Sequence, residues 1–248
     1  MLSPLQKRTI QAIVNVFETG RPTGDYSNVT VAPNDPGHLT YGRSQVSLSS
    51  GNLARLVREY CAEPGAPHAR ELSAYLPRLE ARDISLDSDA ALHSLLREAG
   101  ADPAMRRTQA ALFDHSYWDP ALRAAQTVGI ASALGIGVVY DSFIHGAWTR
   151  LRDATAANLG LASGMPQIHS AGVDEAEWVG RYITLRRNWL ATHPNPLLRR
   201  AVYRMETFAA LFARGNWELA LPIEAHGVRI TEQVLEIPVT AGSAVRTP

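Results

Sequence analysis

The sequence predicts an α+β fold that is mainly α, built as two lobes, with a small β-hairpin element near residues 25 to 48. Three observations carry this. Apolar residues recur at helical spacing along most of the chain, and several helix starts are legible. Only between Arg21 and Gly51 does the text turn to Gly, Pro, Asn, Asp and β-branched residues. The length of 248 residues sits near the limit of ~250–300 at which a single hydrophobic core stops growing, so one large domain or two lobes sharing a core are both affordable.

Taking the elements in order, Ser3-Pro4 caps and starts a helix whose apolar face is Leu5, Ile10, Ile13, Val14 and Phe17, and Gly20 and Pro22 end it. Glu18 therefore falls at its C-terminal end. Asn28 to Ala32 and Leu39 to Tyr41 read as short strands joined by turns. Helices resume from Asn52, eight or nine in all, with cap signatures at Asp102-Pro103, at Asp119-Pro120, and at Asp174 with Glu177 three residues on. Gly129 to Tyr140 is almost free of charge and rich in small residues, which predicts a helix buried on all sides. Ala156 to Gly172 reads as a loop between lobes, and Asn216 to Pro222 and His226 to Ile230 read as extended. The expected catalytic domain is 1–240, its small β-containing lobe near 21–60, with 241–248 a frayed tail.

Composition narrows the function. No window reaches the ~18 consecutive apolar residues of a membrane span, so no membrane insertion is expected. Lys and Arg number 24 and so do Asp and Glu, which leaves no overall field to draw the chain onto nucleic acid. A polyelectrolyte partner must be read locally. Cys61 is the single cysteine, which excludes an internal disulfide and a multi-cysteine zinc site; it suits packing at a helix end. The eight histidines lack the paired spacing of a zinc site, and no metal or cofactor is expected. No export signal is visible at the N-terminus.

Two acids and a turn carry the chemistry. Glu18 follows Phe17 at the end of an apolar face, where a carboxyl against hydrophobic surface would stay protonated, as a general acid must. Seventeen residues later, Asp35 sits on a turn before a strand bearing Thr40, so a base, a water and a water-orienting hydroxyl fit together. Asp25, in a Thr-Gly-Asp-Tyr turn, is the rival for the second carboxylate. The cluster from Phe113 to Asp119 is assigned to packing.

With Phe17-Glu18, Asp35 and Thr40 in this order and spacing, the sequence resembles the chitosanases and the related peptidoglycan-cutting enzymes built on the lysozyme-like fold. The resemblance continues through Ser49 to Leu53, Val139-Tyr140-Asp141-Ser142 with His145-Gly146, Arg186 to Leu190, Tyr203-Arg204 and Gly215-Asn216-Trp217, roughly residues 5 to 230. It implies a substrate groove between two lobes, with Glu18 the general acid, Asp35 the base and Thr40 the residue that positions water, and it places Tyr41 and Trp217 beside that groove as candidates to stack on sugar rings. It also implies a buried charged network behind the acid, matched here by Asp141, Arg187 and Arg204, with Arg186 and Arg200 close by in sequence. Inversion follows by the same analogy, with the carboxyls ~6.5–9.5 Å apart.

The hairpin departs from the chitosanase pattern at Pro36-Gly37-His38-Leu39, where a glycine-rich turn with an arginine is usual, and His38 becomes a candidate substrate contact. Chitosan is a polycation, whereas this chain is neutral and its motifs are rich in Arg, His and Trp, which favours the carboxylates of peptidoglycan. The expected activity is therefore an N-acetylmuramidase, with chitosanase the alternative within the enzyme class and a non-catalytic wall-binding module the alternative outside it. The expected partner is peptidoglycan or another amino-sugar polysaccharide. Without an export signal, delivery as a phage lysin or an injected antibacterial effector is expected, the protein being made in the cytoplasm and acting on the wall. An effector would come with an immunity or inhibitor protein.

Overall fold

The computed structural model describes residues 2–161 and 167–235. The tail expected to fray at 241–248 lies outside the described residues, as does the middle of the loop expected at Ala156–Gly172. Two compact units divide the chain: Met1–Thr23 with Tyr117–Pro248, and Gly24–Ser116. The second unit runs well past residue 60, the expected end of the small lobe, because the helices that follow bury their apolar faces on the same core as the strands.

The first element is α1 (Pro4–Thr19). Ser3 caps it in a reciprocal box with Gln6, and Gly20, at φ 72°, closes it with its N–H on the Val16 carbonyl. Both ends read from the sequence are present.

The Gly24–Ser116 unit holds β1 (Val29–Thr30), β2 (Thr40–Tyr41) and β3 (Val46–Ser47) as an antiparallel sheet of that order, Val29 facing Tyr41 and Thr40 facing Ser47. The helices are α2 (Asn52–Cys61), α3 (Ala69–Ser73), α4 (Leu76–Glu80), α5 (Ala90–Ala99) and α6 (Pro103–Phe113), with a 3-10 turn at Ile84–Ser88. In α2, Leu53, Leu56, Val57 and Tyr60 recur at helical spacing and are fully buried against Leu39, Tyr41 and Leu48 of the sheet. Each such burial stabilises by about 1.5–3 kcal/mol. Asp102 caps α6 through the Ala104 N–H, as its position before Pro103 predicts.

The other unit continues with α7 (Asp119–Val128), α8 (Ala133–His145), α9 (Trp148–Asn158), α10 (Glu175–Ala191), α11 (Pro196–Arg199) and α12 (Val202–Ala213). The β4 (Ile223–Ala225) and β5 (Val228–Ile230) hairpin and α13 (Glu232–Leu235) complete it. The apolar run from Gly129 divides: Gly129, at φ 96°, ends α7, and Ser132 caps α8 through the Gly135 N–H. From Ala133 to Ser142 every residue of α8 is buried. Gly137 faces Phe208 of α12 and Ile10 of α1, where a Cβ would stand in ordinary contact at 3.4 and 3.5 Å. Asp174 caps α10, whereas Asp119 caps nothing because Trp118 before it is already helical. Residues 216–222 turn rather than extend, and the strand pairing starts at Ile223.

Candidate active site

In the unit built on α1, four helices place charged groups around one buried carboxylate. Asp141 on α8 is fully buried, and Arg204 on α12 grips its Oδ1 through Nε at 2.9 Å and Nη2 at 2.6 Å. The same Nη2 lies 2.8 Å from Glu18 Oε1 at the end of α1. Arg186 on α10, also fully buried, lies 3.4 Å from Asp141 Oδ2, donates to the Gly146 carbonyl at 2.8 Å and meets His145 Nδ1 at 3.3 Å. Burial works against the charge on Arg204, but Asp141 and Glu18 outweigh it and hold its pKa above the ordinary value. His145 responds the other way: burial first, then Arg204 and Arg186, push it down to about 4, against the pull of Asp141.

Arg186 is thus the second arginine of the network, and the expected Arg187 is not in it. Successive helical residues point about 100° apart. Trp178, Tyr182 and Arg186 share the buried face of α10, while Arg187 turns to solvent and pairs with Glu206 at 3.1 Å, both side chains about half exposed.

Glu18 is also less enclosed than its place after Phe17 implied. Its side chain is 43% exposed, and its oxygen faces a guanidinium rather than apolar surface. The helix end itself is fixed: Tyr203 Oη donates to the Phe17 carbonyl at 2.8 Å, and the Arg204 guanidinium lies over the Phe17 ring at 5.0 Å.

In the Gly24–Ser116 unit, Asp35 is partly buried on a turn closed by its own N–H on the Ala32 carbonyl and by the His38 N–H on its carbonyl. The Gly37 N–H donates to Asp35 Oδ1 at 2.8 Å. Asn34 and His38 occupy the left-handed region at φ 61° and 56°, a conformation that costs a non-glycine residue of order 1 kcal/mol. Thr40 Oγ1 is 2.7 Å from Gln45 Oε1 and 3.1 Å from the Thr30 carbonyl. Gln45 is oriented by donating its Nε2 to the Gly42 carbonyl at 2.9 Å, so its oxygen faces Thr40. The Thr40 proton is thereby committed, and its lone pairs can accept from water.

The candidate sugar contacts are placed differently. Tyr41 has no exposed surface; it lies in the core of its unit, burial raises its phenol pKa, and it cannot stack on a substrate. His38 Nδ1 is engaged by Asp87 Oδ2 at 2.8 Å, leaving Nε2 as the nitrogen able to reach outward. Trp217 is half-buried edge-on to Phe212 at 5.2 Å. Asp25, the rival carboxylate, is exposed and accepts from the Ser27 N–H at 3.0 Å in a local turn. Asp87 and Gln45 escaped sequence reasoning: nothing in an isolated Asp or Gln signals partners 49 and 5 residues away. Arg186 was visible only as a neighbour of Arg187.

Among the described residues no helix is long and apolar enough to cross a membrane. The model of glycosyl hydrolase family 46 matches residues 12–223. A chitosanase of Bacillus subtilis (strain 168) is 26% identical over 233 residues, covering 88% of this chain and 80% of the relative. Native chitosanase from Bacillus subtilis MY002 has the same fold, with a TM-score of 0.68 at 23% identity over 93% of this chain and 100% of that one. A Gynuella sunshinyii chitosanase in complex with chitotetraose gives 0.69 at 23% identity, over 94% and 99%.

Proposed function

The chain belongs to glycosyl hydrolase family 46 and is a glycoside hydrolase, and from that premise we propose that it hydrolyses the β-1,4 bonds of chitosan, with Glu18 as general acid, Asp35 as general base and Thr40 holding the water. The observation that carries the roles is the relay Glu18–Arg204–Asp141: a buried arginine, anchored by a buried aspartate, holds one oxygen of an exposed carboxyl. With Oε1 held by Arg204, Oε2 is the oxygen that carries the proton to the glycosidic oxygen as the C–O bond breaks. Asp35 Oδ2 takes a proton from the water whose oxygen attacks the anomeric carbon from the opposite face. The product is the inverted anomer.

The preference for chitosan over peptidoglycan rests on where the basic side chains are spent. Arg186 and Arg204 are buried on Asp141, Arg187 pairs with Glu206 and His38 Nδ1 meets Asp87, so the side chains that favoured a carboxylate-bearing substrate are already engaged. The net charge of zero also divides unevenly: the Gly24–Ser116 unit carries twelve Asp and Glu against nine Arg, a local excess of acid that suits a polycation. The relatives whose structures hold chitotetraose and 6 GlcN are amino-sugar binders of the same fold.

Purified wild type, Glu18→Gln and Asp35→Asn incubated with chitosan and, separately, with peptidoglycan distinguish the readings by mass spectrometry of new reducing ends. Release from chitosan, lost in both variants by about 10²–10⁴-fold, is expected. Muropeptide release would restore the muramidase reading and with it the need for an immunity or inhibitor partner. Full activity in either variant removes that residue from its role, and proton NMR of the first-formed anomer tests inversion.

A further inference from the structure

We propose that Asp87 is a positioning residue that clamps the turn bearing Asp35, acting through His38 and the backbone of Leu39; this rests on the reading of Asp35 as the base. The turn needs an outside hold. Residues 31–34 are exposed, and two non-glycine residues in it, Asn34 and His38, are left-handed. On one side it is tied to the sheet by Ser49 N–H on the Gly37 carbonyl at 3.3 Å and Leu48 N–H on the Leu39 carbonyl at 2.8 Å. On the other side Asp87 uses both carboxylate oxygens: Oδ1 accepts from the Leu39 N–H at 2.8 Å and Oδ2 engages His38 Nδ1 at 2.8 Å. His38 N–H in turn donates to the Asp35 carbonyl at 3.1 Å.

Asp87 is itself presented from a braced platform. It stands on the 3-10 turn Ile84–Ser88, where Asp83 accepts from the Ser85 N–H and hydroxyl and Leu86 is fully buried. Arg78 bridges to Asp83 at 2.9 Å and to Asp89 at 2.8 Å, stapling the segment on both sides of Asp87. A carboxylate carried on a braced segment and spending both oxygens on residues 38 and 39 is placed to set the height of the turn, and with it the position of the Asp35 carboxyl. A catalytic group displaced by ~1 Å can lose ~10²-fold in rate.

The test is steady-state kinetics on chitosan oligomers with wild type, Asp87→Ala, Asp87→Asn, His38→Ala, the Asp87→Ala/His38→Ala double variant and Asp35→Asn, with thermal melting alongside. Asp87→Ala is expected to lower kcat by about 10- to 100-fold with KM within about two-fold of wild type, the split a misplaced base produces. Asp87→Asn, which keeps an acceptor for the Leu39 N–H, should recover most of the loss. The double variant should be no slower than Asp87→Ala, since both act through one clamp. Wild-type kcat in Asp87→Ala, or in Asp87→Asn together with strictly additive effects of the two alanine changes, overturns the clamp. If Asp87→Ala does not fold, Asp87→Asn paired with His38→Ala decides, the clamp requiring His38→Ala to lower kcat at unchanged KM. Full activity in Asp35→Asn would instead sink the base assignment on which the clamp rests.

Discussion

The two carboxyls assigned to acid and base are held by opposite means. Behind Glu18 stands a charge cluster with almost no exposure: Asp141 and Arg186 at 0% and Arg204 at 2%, drawn from α8, α10 and α12. Among the described residues no charged group pairs with the Asp35 carboxyl; one of its oxygens is set by the N–H of Gly37 two residues on, and its turn by backbone bonds and one remote carboxylate. Buried charges lock a position because losing one strands the others in a low dielectric, whereas a hydrogen-bonded turn yields by degrees. The acid side should therefore fail abruptly and the base side gradually.

The contrast can be broken in four places. Asp141→Ala strands two buried arginines and should cost about 3–5 kcal/mol, a fall of roughly 10 °C in melting temperature, together with activity; an unchanged melt would show that the cluster is not what holds the helices. His145 adds a pH signature to the same side. Its folded pKa, near 4, lies below the ordinary 6.5, so between those values the unfolded chain takes up a proton the folded chain refuses. Stability is full above about pH 6.5 and declines as pH falls toward 4, by at most about 3 kcal/mol, and His145→Asn should flatten that part of a melting-temperature profile.

On the base side, a Cβ at Gly37 would stand 3.1 Å from Asp35 Oδ1, so Gly37→Ala should nudge the carboxyl by a few tenths of an ångström. A loss in kcat of about 10-fold or less at unchanged melting temperature is expected; a loss as complete as that of Asp35→Asn would make this side as brittle as the other. The smallest effect belongs to Arg187→Ala, whose pair with Glu206 is about half exposed: under ~0.5 kcal/mol, with activity retained. A large effect there would return Arg187 to the machinery.

The sequence spelled out most of the frame where local chemistry decides it. Ser3-Pro4 and Gly20 bound α1, Asp102 and Asp174 cap their helices, and the shift to turn residues after Arg21 marks the sheet. Strand β3 is as short as β1 and β2, but it follows Arg43-Ser44-Gln45 with no β-branched run around it, and its pairing with β2 is what sets it. The run from Gly129 merged a C-cap glycine with the helix after it, since both are small and apolar in sequence. Among the site residues, Glu18, Asp141 and Arg204 meet, but the choice between Arg186 and Arg187 turns on a rotation of about 100° that adjacent letters do not encode. Tyr41 was read as a platform because the resemblance sets its segment beside the groove; an aromatic ring there suits a core as well, and the core took it.

Helix α1 is gripped at both ends, by the Ser3–Gln6 box at its start and by Tyr203 on the Phe17 carbonyl at its finish, with Gln6 donating to the Glu218 carbonyl as well. A helix pinned this way behaves as a ruler whose length is part of the site. Removing one residue between Ser3 and Glu18 would swing the carboxyl by about 100° and draw it back about 1.5 Å, away from Arg204, without altering any side chain that touches it. Lineages that retain the relay should thus vary freely in the loops at either end of α1 while counting the residues within it.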